Sequence, residues 1–269
     1  MTPYEEVLND LVEEHAALES VLTRLPDEAW EIATHAPGWA VRDQVAHLAS
    51  LDETALFALM EPERFRAEAE QGRSRPKEPG DPAYLVQARK MAPRDLFEWW
   101  RTSSDGLVTA AKDADPATRV PWFGPPMSAV SHLTARLMEC WSHGLDIVDV
   151  VNVARPPTDR LRHVVFLGMR TRGFSYSNRG LAPNIEPVRL ELTSPSGSAW
   201  TYGEANAANR ITGSAVDFAE VTTRRRHISD TDLVCEGAAA KEWMSIAQTF
   251  AGPPGAGRQP GEFPKGRIS

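Results

Sequence analysis

Glu139 and His143 stand four apart in a stretch that reads as one long helix, so their side chains leave one face on successive turns and can grip a single cation. A second histidine, His47, falls in an earlier helical stretch. Two imidazoles and a carboxylate from two helices make three protein ligands and leave a coordination position open, which is the arrangement of catalytic zinc and not of closed structural sites. Non-haem iron or nickel can use the same donors, so the expected ion is zinc or another divalent metal. Taken separately, each half has a plainer explanation: an amphipathic helix with incidental histidines, or a helix histidine satisfied by a neighbouring group. The polar face continues back to Arg136 and His132 and forward to Asp146, three candidates for contacting substrate or holding a ligand in place. A surface neighbour is the alternative for Asp146.

Caps and periodicity locate the elements that must carry these residues. Thr2, Pro3 and Glu5 supply an N-cap, a first-turn proline and a capping-box acid, and Leu8, Leu11, Val12, His15, Leu18 and Leu22 then recur at helical spacing. A second helix opens after Pro37-Gly38 and runs to about Met60, with Val41, Val45, Leu48, Asp52, Ala55 and Leu59 in a stripe and His47 beside it. A third is predicted over 93–113, and a fourth over 128–151, after the turn Pro121-Trp122-Phe123-Gly124-Pro125-Pro126 and before Pro156-Pro157. Four such helices suggest an antiparallel bundle. The charged segment 61–82 holds four prolines and is expected to be a poorly packed connection with a short helix at most.

Beyond a fifth helical segment at 159–174 the period changes. Val188, Leu190 and Leu192 alternate as in a strand, Ser194-Pro195-Ser196-Gly197 makes a turn, and Trp200-Thr201-Tyr202 follows, which predicts a hairpin. Helical patterns return at 216–225 and 239–250, on either side of the short apolar Leu233-Val234-Cys235. The expected class is α+β: a four-helix bundle over 1–180, a smaller α/β domain over 181–251, and a flexible Gly- and Pro-rich tail over 252–269.

At 42% apolar and 25% charged residues the 269-residue chain is globular in composition, which excludes disordered and fibrous classes. A formal net charge of -8 argues against a nucleic-acid or anionic-membrane partner, since either requires a basic excess. The expected partner is a small-molecule substrate, with the chain a monomer or homodimer. Two cysteines, Cys140 and Cys235, are too few for a disulfide framework, and the N-terminus reads as a capped helix instead of a signal peptide, so the cytoplasm is the expected location. Cys140 lies about 100° around the helix from Glu139 and is assigned a structural role.

Two segments also carry a family resemblance. Pro37-Gly38-Trp39-Ala40-Val41-Arg42-Asp43-Gln44-Val45-Ala46-His47-Leu48 and Arg136-Leu137-Met138-Glu139-Cys140-Trp141-Ser142-His143-Gly144-Leu145-Asp146 resemble the signature segments of the mycothiol-dependent maleylpyruvate isomerase N-terminal domain, of the DinB and YfiT-like metal-binding bundle superfamily. The resemblance covers roughly the first 150 residues and is specific for the domain, not for a substrate. It implies a DinB-like bundle in which His47, Glu139 and His143 bind zinc, with mycothiol or a similar thiol as cosubstrate. The stretch from Arg210 to His227 resembles the smaller, sterol-carrier-like domain that follows the bundle in these isomerases, and also a short domain named after wyosine-base formation, whose radical chemistry requires a cysteine cluster that this chain lacks. Arg224, Arg225 and Arg226 fall where the isomerases place an arginine important for activity. Arg225 is the candidate, holding a substrate carboxylate, against the alternative of a basic helix end.

For function, the resemblance implies a thiol kept as thiolate by the metal, which isomerises a small electrophile or becomes attached to it. Metal-hydroxide hydrolysis is a third chemistry open to the same ligands. A metal-containing protein that binds a lipid or other small molecule without catalysis is the alternative from another class.

Overall fold

A computed structural model describes residues 1–74 and 80–263. The chain divides into two compact units, Met1–Arg155 and Pro156–Ser269.

The first unit is built on four long helices: α1 (Pro3–Leu22), α2 (Val41–Met60), α5 (Pro93–Asp113) and α6 (Ala129–Val148). Thr2 caps α1 in a reciprocal capping box with Glu5, and the Ser128 hydroxyl accepts from Ser131 N to cap α6. Two shorter helices, α3 (Pro62–Ser74) and α4 (Ala83–Ala88), lie between α2 and α5, and the strands β1 (Arg119–Val120) and β2 (Met127–Ser128) pair antiparallel around the Pro-rich turn before α6. Leu18, Val45, Leu48, Leu96, Trp100, Cys140 and Ile147 meet in one apolar core drawn from all four long helices. Cys140 is buried, its thiol 3.8 Å from the Glu14 carbonyl.

Contacts along the helices fix their directions. Tyr4 donates to Ala111 O (2.7 Å) while Glu19 lies 3.7 Å from Arg101, so α1 and α5 are antiparallel. His47 meets His143, and two turns on Ala55 meets His132, so α2 and α6 are antiparallel as well. Arg42 reaches Met91 O and Trp99 donates to Glu53 (2.7 Å), so α2 and α5 run parallel. A parallel pair cannot be joined by a tight turn, and the connection over 61–92 is the crossover that this pair requires. The segment 61–82, expected to pack poorly, therefore carries α3, whose Phe65 is buried, and just beyond it Leu85 and Ala88 of α4 are buried as well. Residues 75–79 of that expectation lie outside the described residues.

At the end of the bundle the Arg155 guanidinium donates to Trp141 O (3.0 Å) and pairs with the buried carboxylate of Glu14. Gly144 makes room for it, because a Cβ there would collide with that guanidinium.

The second unit begins at Pro156, whereas the sequence places the division near 180. The 3₁₀ turn Asp159–Leu161, α7 (Arg162–Arg170) and α8 (Arg172–Ser177) belong to it. The reason is packing: Val164 and Val165 are buried, and Gly168 lies so close to Phe218 and Thr222 that a Cβ would come within 3.0 Å of each. Its sheet has the order β4-β3-β5-β6, formed by β3 (Val188–Thr193), β4 (Ala199–Tyr202), β5 (Asn209–Ser214) and β6 (Val234–Glu236). The hairpin β3–β4 is antiparallel in the register Leu190↔Tyr202 and Leu192↔Trp200, β5 runs parallel to β3, and β6 antiparallel to β5. Two helices, α9 (Ala215–Thr222) and α10 (Ala238–Ile246), complete the unit, with Phe218 edge-on to Trp243 in its core. The chain over 252–263, expected to be a flexible tail, is tied down: Asn178 donates to Gly252 O (2.9 Å), Gly261 N donates to Asp230 (2.8 Å), and Phe263 is buried beneath Arg226. Residues 264–269 of that tail lie outside the described residues. No helix among the described residues is long and apolar enough to cross a membrane.

Candidate metal centre

Helix α2 contributes His47 and the antiparallel α6 contributes Glu139 and His143. One ligand atom from each lies within 4.8 Å of the others. His143 Nε2 is 3.1 Å from Glu139 Oε2, and His47 Nε2 is 3.8 Å from the same oxygen. The side chains are 13%, 16% and 21% exposed for His143, Glu139 and His47, which leaves the group reachable from outside.

The opposite edge of each imidazole is already committed. His143 Nδ1 lies 2.6 Å from Gln44 Oε1, and His47 Nδ1 lies 3.0 Å from the Tyr84 hydroxyl. Gln44 is itself oriented, because its amide NH₂ donates to Thr34 Oγ1 (2.9 Å), and Thr34 spends its own proton on Trp39 O (2.9 Å). The Gln44 oxygen must therefore face His143, which puts the proton on Nδ1 and leaves Nε2 with a bare lone pair. That lone pair looks at a carboxylate oxygen 3.1 Å away. Two acceptors at that distance require a positive charge between them. A proton provides it for one pair, and a divalent cation provides it for all three groups at once. The donor set of two imidazoles and one carboxylate fits a zinc-class ion.

With a proton in that place, the same groups hold the carboxylate as an anion. Burial alone would raise the Glu139 carboxyl, yet hydrogen bonds from His143 and His47, with help from the charges of His143 and Arg136, hold it well below the ordinary carboxylate range. Burial pushes the Tyr84 phenol up to about 12, reinforced by Asp43, Asp81 and Glu139, so it remains a neutral hydroxyl beside His47. Trp39 packs its ring 5.2 Å from His47 and 6.1 Å from His143 and covers one side of the group.

The other candidates are distributed more widely. Asp146 is buried, its carboxylate 3.7 Å from His143 Nδ1, behind the closer Gln44. His132 is outside the triad; it is buried 5.3 Å from Trp122 with Nε2 3.3 Å from Ala55 O, and burial followed by the Arg136 charge lowers it to about 4. Arg136 lies between these regions, one turn before Glu139. Nearby, Asp52 faces His15 at 3.8 Å, and burial pushes Asp52 up to about 7 against the opposing charge of Arg136. Arg225 belongs to the second unit, where it donates to Thr223 O (2.8 Å) and lies over Phe250, while Arg224 beside it adopts a left-handed backbone (φ 63°).

Sequence reasoning missed Tyr84, Thr34 and the role of Gln44. Gln44 carried a signal, since it precedes His47 by three on the same side of α2. Replacing Gln44 by leucine frees the His143 tautomer, and the expected result is a metal affinity lower by about 10- to 100-fold with little change in thermal midpoint. Competition with a metallochromic chelator measures this, and an unchanged affinity would refute the orienting role.

The family description "Mycothiol maleylpyruvate isomerase N-terminal domain" matches residues 11–148. The protein Rv0036c of Mycobacterium tuberculosis (strain ATCC 25618 / H37Rv) is 40% identical over 249 residues, spanning 93% of this chain and 96% of that protein, and MT0041 of strain CDC 1551 / Oshkosh matches to the same extent. The crystal structure of the mycothiol-dependent maleylpyruvate isomerase, and that of a single-residue mutant of it, align with a TM-score of 0.56 at 17% identity over 87% of this chain and 93% of theirs. At that identity the likeness speaks for the fold alone.

Proposed function

Because this chain belongs to the mycothiol maleylpyruvate isomerase N-terminal domain family, we propose that it is a metal-dependent enzyme that uses a low-molecular-weight thiol of the mycothiol kind to isomerise or thiolate a small electrophile. The observation that carries the reading is the convergence of His47 Nε2, His143 Nε2 and Glu139 Oε2 while both Nδ1 atoms are occupied elsewhere.

A divalent ion at these ligands supplies positive charge that keeps a thiol ionised at neutral pH. The chain's own residues do the rest. Gln44 and Tyr84 hold the two imidazoles in orientation, Glu139 contributes a fixed negative charge, and Trp39 shields one flank from water. The thiolate sulfur then bonds to one carbon of an electrophilic cis double bond, and the carbon–carbon bond, now single, can turn. Loss of the thiolate restores the double bond in the trans form and returns the sulfur as thiolate for the next turnover. Protonation of the adduct before that loss gives a thioether, the outcome of transfer.

The test measures metal per chain by plasma mass spectrometry and turnover of cis-configured α,β-unsaturated acids with and without mycothiol, before and after chelation. The expected result is close to one ion per chain and turnover that needs both ion and thiol. Turnover that survives removal of either one, or a chain that takes up no metal from added zinc, overturns the proposal.

A further inference from the structure

Arg136 is a cation placed where a protein seldom leaves one without a partner. It lies three residues before Glu139 on α6, so its side chain leaves the same side of the helix about 4.5 Å further along the axis. The residue is 4% exposed, and its Nε and one Nη are buried without a hydrogen-bond acceptor among the described residues. Its guanidinium lies over the Trp122 ring at 5.1 Å, and Trp122 in turn stacks on Phe65 with the planes 9° apart. The aromatic face sets the orientation of the guanidinium but accepts none of its in-plane N–H groups.

The acids nearby do not complete the pairing. Glu139 and Asp52 feel the charge of Arg136, yet neither comes within ion-pairing distance; Glu139 Oε2 is turned to the two histidines and Asp52 to His15. A buried guanidinium with open donors is costly to keep and is well suited to a planar anion. Arg136 itself stands about one helical turn from Glu139 on α6.

We infer that Arg136 recognises a carboxylate of the electrophilic substrate and sets its reacting carbon beside the His47–Glu139–His143 group. This rests on the thiol-enzyme reading above and gives it a selectivity: an acid whose carboxylate is a few bonds from the electrophilic carbon is preferred over the uncharged amide of the same shape. Arg136 is then a substrate-binding residue, distinct in role from the metal ligands and from Gln44 and Tyr84, which act through them.

The experiment titrates the full chain calorimetrically with maleate and with its neutral counterpart maleamide, zinc-loaded and zinc-free, for wild type, Arg136→Met and Arg136→Lys. Wild type is expected to prefer maleate by about tenfold or more in both metal states. Arg136→Met should lose that preference while keeping its metal content and thermal midpoint, and Arg136→Lys should keep only part of it because the planar fork is gone. Equal maleate binding in wild type and Arg136→Met, or a preference that exists only with zinc and ignores residue 136, overturns the inference. If Arg136→Met does not fold, an unchanged preference in Arg136→Lys overturns it and a reduced one supports it. Because the zinc-free arm involves neither metal nor thiol, failure here is separable from failure of the proposed function, which shows as absent metal or thiol-independent turnover.

Discussion

Replacing Glu139 by alanine is expected to strip the protein of its ion and of thiol-dependent turnover together. The carboxylate is the one anionic member of the group, and its oxygen is the atom that both imidazoles face. If three ligands share on the order of 10 kcal/mol of binding free energy, the loss of one removes roughly 3 kcal/mol, which weakens binding by more than about a hundredfold. Glu139→Gln keeps the shape but not the charge and should fall close to the alanine variant. Metal content after dialysis against a weak chelator, read beside turnover, decides the matter. A variant that retains its ion would show that the convergence of these side chains serves the packing of α2 on α6 and nothing else.

The second large effect is structural. Arg155→Met should lower the thermal midpoint of the bundle by about 10 °C, because it removes a guanidinium paired with the Glu14 carboxylate, which is only 2% exposed. Breaking one side of a buried pair costs roughly 3–5 kcal/mol, and in a unit of this size each kcal/mol moves the midpoint by about 2–4 °C. The double variant Glu14→Gln with Arg155→Met should recover much of the loss, since it removes the buried charge that has lost this guanidinium. Metal affinity should remain near wild type in both. A drop of only a degree or two in the single variant would mean that water or another group solvates Glu14 as well as Arg155 does.

How much of this is legible in the sequence depends on how local each feature is. The capping box at Thr2 and Glu5, the Pro-rich turns and the apolar periods give the four long helices, because each signal lies within a turn or two of what it specifies. Glu139 and His143 are legible for the same reason, being neighbours on one helix. Periodicity carries no direction, however, and nothing in the pattern of Leu96, Phe97 and Trp100 says that α5 runs parallel to α2. Tyr84 lies just beyond the segment discounted for its charge and prolines, in a stretch to which the pattern assigns no element; it reaches His47 only because α4 packs on α2. The division at Arg155 was equally hidden, because the apolar face of α7 suits a bundle as well as it suits α9.

His47 and His143 are 96 positions apart in the chain (143 − 47) and meet only where α2 and α6 are packed together. An unfolded chain offers an ion no such address. Any cation that prefers the assembled group draws the folding equilibrium with it, by about 2.7 kcal/mol when free metal stands at a hundred times the dissociation constant. Occupancy and foldedness are then two readings of a single equilibrium. If the group holds an ion as proposed, a chelator should act as a mild denaturant and the melting temperature should follow the metal supply.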